Sequence, residues 1–465
     1  MSKLFSGKNL FVWAAVVLAL WLALGPASSA DPRAAHSAAV VLVTLVLWST
    51  GVLPPFLTSL IFFGLVLIFR LARPDLIFSG FGSAAVWLIV SGFVIGTAIS
   101  VSGLGKRLAG FLAPHLASSY ARMIIGLSIA ASLLGFVMPS SVGRAVVMLP
   151  IGMALADRVG FRAGSNGRIG IAAALALACN LPSFAILPAN IPNMILAGAS
   201  ETLHGVSFGY TSYLMLHFPL LGILKLALVD WLVLTLFPDR IHPQDGLIAD
   251  TVEADKPGEG AMQWRVGAIL LATLALWMTD SLHGINPAWV GLAAAVVLLL
   301  PGIGVVAPKS FNGAIDFGVV LFVAAALGLG ALVNDSGLGK LVGEFLQQVL
   351  PLQAGRQALN FFSLTMMSVL TGLVTTIPGV PTVLTTMAPE LAKASGFSLP
   401  AVLMTQVIGF STVLFPYQVG PLVVAMQLSG EKLGHLLRIT LPLALLTLVL
   451  VMPLDYLWWR LLGWI

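Results

Sequence analysis

Apolar residues run along this chain in long blocks, interrupted by Gly, Pro and short polar stretches. A helix needs roughly 20 apolar residues to cross a bilayer. On that measure eleven crossings are predicted, near residues 10–25, 37–53, 54–70, 84–101, 169–198, 213–237, 264–280, 286–302, 317–334, 400–428 and 437–459. Two further blocks, 122–157 and 358–392, are long enough for two helices each but carry Pro and Gly at their centres. They read as re-entrant hairpins, because irregular backbone survives at membrane depth only where protein or a watery cavity satisfies it. Blocks 169–198 and 400–428 are broken by Pro or Gly, which predicts two discontinuous helices.

The pattern occurs twice. Ser102-Gly103-Leu104-Gly105-Lys106, followed by Phe111-Leu112, recurs as Ser336-Gly337-Leu338-Gly339-Lys340 with Phe345-Leu346. Gly135–Phe161 then aligns with Gly372–Phe397 with one gap, and Phe184–Asn193 with Thr412–Pro421. Five crossings plus a hairpin per copy start the second copy on the opposite face, so the expected fold is all-α and polytopic with two inverted repeats. Paired broken segments at corresponding places in two halves point to a secondary transporter's binding site.

Composition sharpens this. With 58% hydrophobic and 9% charged residues and mean hydropathy +1.02, the chain lacks the charge a soluble surface requires. The single cysteine, Cys179, excludes a disulfide framework, and seven scattered histidines without an HExxH pattern leave little for hydrolytic metal chemistry. No cofactor is expected. The net charge of +5 carries no basic run long enough for nucleic acid. Lys3, Lys8, the apolar run 10–24 and Ala27–Ala30 imitate a cleavable signal; an uncleaved first helix is the preferred reading. With a cytoplasmic N-terminus, 14 Lys and Arg fall inside and 7 outside, with Arg144 and Lys225 within the membrane. The polar stretch 238–263 is then a cytoplasmic linker, and the cell inner membrane the expected location.

Val86–Phe93 leading into Ser102–Arg107, a hairpin closing in Val147-Met148-Leu149-Pro150-Ile151, and a Pro-rich break ending Ile191-Pro192-Asn193 resemble the divalent anion/sodium symporter family. The resemblance implies a homodimer in which a scaffold holds mobile transport domains that carry substrate by an elevator movement. Carried over, the scaffold is 1–118 and 264–356, and the transport domain 119–237 and 357–465. The family's hairpin tips carry Ser-Asn-Thr signatures for sodium and substrate carboxylate. Here the first tip reads Ser140-Ser141-Val142; the second aligns as Gly379-Val380-Pro381, or, with a gap, Thr375-Thr376-Ile377. Neither has its asparagine. The asparagine that follows the family's proline pair survives as Asn193, whereas Leu422 follows Pro421.

Arg144 stands alone as a charge in the first hairpin, and a guanidinium at membrane depth usually faces a cavity and marks function. Two roles fit: binding a carboxylate or sulfate-type oxyanion bidentately, helped by backbone N–H groups near Gly143, or standing as a tethered charge where a coupling sodium would sit. A third reading has it snorkel to the interface. Ser140, Ser141, Asn190 and Asn193 from the first repeat, and Thr375, Thr376, Gly379, Thr382, Tyr417 and Gln418 from the second, complete the candidate site. Any sodium is expected near Ser140, Ser141 and Asn190. Lys225 and Asp230 lie about 140° apart around a helix, poor partners for each other; Asp230 is the candidate proton carrier.

The expected function is secondary transport of a small anion, a dicarboxylate or sulfate-like oxyanion, coupled to sodium, to protons or to exchange. Arsenite, antimonite or citrate transport within the wider superfamily is the alternative, against which Arg144 favours an anion over neutral arsenite. An intramembrane enzyme on Ser140 or Ser141 lacks a base in either tip. A non-transporting receptor leaves two hairpins and two broken helices without a purpose.

Overall fold

The computed structural model describes residues 7–25, 31–104, 107, 118–241 and 259–465, and within them the secondary structure is helical with no strand. The parts of the glycine motif at 105–106 and 111–112, the signal-like 27–30 and most of the 238–263 linker lie outside the described residues. Helix starts follow from side chains that satisfy the first N–H groups. Asp31 accepts from Ala34 N ahead of the helix Pro32–Thr50, and Ser83, Ser119, Ser140, Ser165 and Ser398 do the same for later helices.

Helix α1 (Gly7–Leu24) precedes the first repeat, whose membrane helices are α1b (Pro32–Thr50), α2 (Pro55–Ile68) and α3 (Ala84–Ser102). They are followed by a hairpin of α4 (Tyr120–Val137) and α5 (Ser141–Arg158), and by a broken helix of α6 (Asn166–Ala178) and α7 (Ile191–His204). Helix α8 (Tyr210–Leu236) closes the repeat with a π-turn at Phe218–Leu224. The second repeat has the same order: α9 (Glu259–Met278), α10 (Pro287–Leu299), α11 (Phe317–Asp335), then the amphipathic α12 (Leu338–Val349). Its hairpin is α13 (Gln357–Val374) and α14 (Gly379–Ser395), its broken helix α15 (Leu399–Phe410) and α16 (Gly420–Ser429). It closes with α17 (Gly434–Leu461), again with a π-turn, at Thr447–Val451.

The two glycines of the repeated motif share one reason. Gly103 ends α3 at φ 67° and Gly337 precedes α12 at φ 76°, a left-handed backbone that side chains with a Cβ resist. Packing also exchanges between repeats: α3 lies against α10, and α11 against α2. Likewise α5 packs on α16, and α14 on α7. Each hairpin thus braces the second half of the other repeat's broken helix.

Nine helices among the described residues are long and apolar enough to cross a membrane, and the chain is an all-α polytopic membrane protein. Apolar side chains such as Leu133, Val146, Leu370, Val374 and Leu445 point outward, as lipid-facing surface requires. Inside, one continuous apolar cluster joins α4–α6 and α8 to α13–α17, while a second joins α1b, α2, α3, α7 and α11. Small residues permit the closest crossings. A Cβ on Gly409 of α15 would stand 2.1 Å from the Ser368 hydroxyl of α13.

Candidate functional site

At the first hairpin tip, α4 ends at Val137, Met138 to Ser140 are extended, and the Ser140 hydroxyl caps α5 by accepting from Gly143 N at 3.0 Å. One turn into α5 sits Arg144, fully buried at 0% exposure, so the snorkelling reading is overturned. Its Nε donates to the Cys179 carbonyl at 3.0 Å, and its Nη1 to the Met138 carbonyl. Its Nη2 donates to the Ser141 hydroxyl at 2.9 Å and the Ala189 carbonyl at 3.3 Å. Four oxygens from the hairpin tip and the helix break therefore surround one positive charge. Gly135 lies alongside, where an added Cβ would stand 4.0 Å from the guanidinium carbon.

The break between α6 and α7 is two short 3-10 turns, Pro182–Ala185 and Leu187–Ala189, because its prolines cannot continue the helical ladder. Ser183 is its hub. Its hydroxyl donates to the Asn180 carbonyl, lies 3.3 Å from the Ser141 hydroxyl and accepts from Asn190 Nδ2 at 3.0 Å. Asn193 Nδ2 donates to the Ser183 and Ile186 carbonyls at 3.0 and 2.9 Å. Ser140, Ser141, Gly143, Arg144, Asn190 and Asn193 thus form one cluster. Left over inside it are both polar atoms of the buried Asn180 side chain and Asn193 Oδ1, none with a hydrogen-bond partner. No side chain caps the first turn of α7.

At the second tip α13 ends at Val374, Thr375 to Pro378 make the turn, and Gly379 begins α14. Gly379 is the first residue of α14 as Ser141 is the first of α5, so the count back from Pro389 falls within one residue of the structural equivalence, and Thr375-Thr376-Ile377 forms the turn ahead of it. Pro381 is tolerated in α14 because the first turn of a helix has no intrahelical use for its N–H. Thr375 Oγ1 donates to the Thr371 carbonyl at 2.8 Å, and Thr382 Oγ1 to the Pro378 carbonyl at 3.1 Å. Thr376 accepts from Gly379 N through its carbonyl at 2.9 Å. Gln418 fastens the second break to this hairpin: Nε2 donates to the Gly372 carbonyl at 2.7 Å, and Oε1 accepts from Leu414 and Phe415 N. Tyr417 is apart from the rest, 69% exposed and stacked on Phe415. The two breaks approach each other through Phe184 and Phe410, whose rings are 5.7 Å apart.

Lys225 and Asp230 go to different partners. Asp230 Oδ1 accepts from Ser128 on α4 at 2.7 Å, and Lys225 reaches Ser411 on the second break. A further buried charge in the membrane helices, Asp455 on α17, escaped the sequence reading because it is flanked by Tyr456, Trp458, Trp459 and Arg460, which look like an interfacial end. Ser183 and Asn180 were also missed; both lie in the Pro-rich stretch that marks the break. A cavity of about 840 Å³ is an apolar groove lined by Leu45, Leu346, Met366, Met367 and Leu448 among others, and touches the candidate residues only at Thr375.

The family model described as the sodium:sulfate symporter transmembrane region matches residues 7–465. The chain belongs to the sodium:sulfate symporter family. It is accordingly a transporter and not an enzyme. It is 24% identical to a protein of Cupriavidus necator described as a membrane protein, over 83% of this chain and 77% of that one. It is also 24% identical to the L-tartrate/succinate antiporter of Escherichia coli K12, over 74% and 72%. Among solved structures, the Alcanivorax borkumensis YdaH transporter, reported to have an unusual topology, shares the fold with TM-score 0.57 and 18% identity, over 97% of this chain and 99% of that one.

Proposed function

We propose that this family member exchanges small dianions, a dicarboxylate or sulfate-like oxyanion, across the cell inner membrane, with Arg144 standing in the place of a coupling sodium. The observation that carries this reading is the oxygen cage of Arg144. Three backbone carbonyls and a hydroxyl, gathered from a hairpin tip and a helix break, are the ligands a hard monovalent cation takes at broken helices. Here they converge on a guanidinium. The same shell leaves little of the guanidinium for bidentate capture of an anion, so the substrate role passes to groups around it. Asn180 Nδ2, an unpaired buried donor, and the uncapped first turns of α7 and α16 offer N–H groups and positive helix ends to an anion. The family's sodium coupling and the antiporter among its relatives are the two precedents; the charged residue built into the cage favours exchange.

The transport unit in this reading comprises 119–237 and 357–465, carried past a scaffold of 1–118 and 264–356 in an elevator movement, within a homodimer whose N-termini are cytoplasmic. Supporting it, α4–α6, α8 and α13–α17 share one apolar core, while α1b, α2, α3 and α11 belong to another. The α7 helix touches both, and so does α8, whose start at Tyr210 joins the second. Asp230 is the proton-coupling candidate should exchange prove pH-driven.

Uptake of labelled succinate and of labelled sulfate into proteoliposomes, with and without internal anion, under a sodium gradient, a proton gradient or neither, tests the reading. The expected result is flux that requires internal anion and no cation gradient. Uptake that occurs only with a sodium gradient, into vesicles empty of anion, overturns it.

A further inference from the structure

Lys225 does at the second helix break what Arg144 does at the first. It projects from α8, is 1% exposed, and its ammonium donates to the Ser411 carbonyl at 2.6 Å and the Ser411 hydroxyl at 3.4 Å. Ser411 directly follows α15, as Cys179 directly follows α6, and the Cys179 carbonyl is the one that Arg144 Nε bonds. Both half-helices therefore end on a carbonyl held by a buried cation from a neighbouring element. The position has a physical meaning: the last carbonyls of a helix lack intrahelical partners and carry the negative end of its dipole. In transporters built from inverted repeats, such ends coordinate the coupling ion.

A structural salt link is the alternative use for a buried lysine, and the surroundings oppose it. Asp455 on α17 is the carboxylate whose charge reaches Lys225, yet the two form no ion pair and neither Asp455 oxygen has a hydrogen-bond partner. The Trp459 indole lies beside that carboxylate but outside hydrogen-bonding geometry. Asp230, five residues along α8, is bonded to Ser128. His217, also on α8, meets Met404 Sδ and the Trp459 ring. The hydrogen bonds of the ammonium go to the helix end alone.

We propose that Lys225 is a second tethered cation, filling an ion-binding position at the end of α15, so that each repeat carries one built-in positive charge in place of a free ion. The proposal rests on the reading of Arg144 above and extends it: two fixed charges match a dianionic substrate without sodium.

Thermal unfolding of the purified full-length protein in detergent tests this without reference to substrate, in sodium, lithium or choline chloride at one ionic strength. Wild type and Lys225→Arg are expected to unfold at one temperature in all three salts. Lys225→Met is expected to unfold higher in sodium than in choline, by a shift that saturates with sodium, because the vacated Ser411 oxygens then take a free ion that binds only the folded state. Recovery of folded Lys225→Met only when sodium is present supports the proposal equally. A Lys225→Met protein with the wild-type response to sodium, or one that is unfolded in every salt, overturns it. The wild-type response itself reports on the sodium-free reading, so the two failures are separable.

Discussion

Arg144 donates from all three of its nitrogens into oxygens of the hairpin tip and the helix break, which makes its shape as necessary as its charge. Arg144→Lys keeps the charge but loses the planar fork, and is expected to lower exchange at least roughly tenfold, the scale of one lost charge-assisted hydrogen bond; initial rates of labelled succinate exchange measure it. Asn193 has the opposite character, a neutral residue whose amide fastens the break. Asn193→Ala removes two hydrogen bonds to the Ser183 and Ile186 carbonyls, which keep only the Ile186 and Ala189 N–H groups, at a cost of roughly 0.5–1.5 kcal/mol each, and the expected outcome is a lowered unfolding temperature in detergent. Sequence alone singled out Arg144 because a lone charge in an apolar hairpin is expensive. It could not show the cage, since three of its four oxygens are backbone carbonyls, which leave no trace in residue identity. Asp455 went unread for a related reason, as its aromatic and basic neighbours resemble a membrane interface.

Among the elements, the hairpins and breaks were legible from Pro and Gly at their centres, and their order in the two halves was legible from the repeated glycine motif. The second tip was legible to within one residue, because Pro381 suits a loop and the first turn of a helix equally well, and the chain enters α14 at Gly379. Contacts between elements were beyond the sequence. The first tip seats against α3, where a Cβ added at Gly92 would meet the Pro139 ring at 2.9 Å. Gly92→Val is therefore expected to slow exchange while leaving the protein folded, since a larger side chain pushes the tip off α3; exchange rates beside an unfolding curve check this. On α8, Asp230→Asn retains an acceptor for the Ser128 hydroxyl and removes only the charge. A changed pH profile of exchange is expected if protons couple through it, and an unchanged profile removes Asp230 from that role.

For the whole molecule, the repeats interlock, and the largest apolar core joins the two hairpins to the broken helices while others lie among the remaining helices; in the proposed reading the first is a unit that moves as one body. What such a unit carries depends on the charge it holds when empty. A symporter's cage is neutral until sodium enters. Here the cage holds an arginine, and in the proposed reading it replaces a sodium ion in an exchanger, where the carrier returns loaded. The most direct measurement is labelled succinate exchange in sodium-free proteoliposomes for wild type and Arg144→Ala, repeated after adding sodium to both sides. Wild type should exchange at the same rate in both conditions, and Arg144→Ala should be inactive without sodium and recover in part as sodium enters the vacated oxygens. Sodium-free exchange by Arg144→Ala at the wild-type rate would contradict the account.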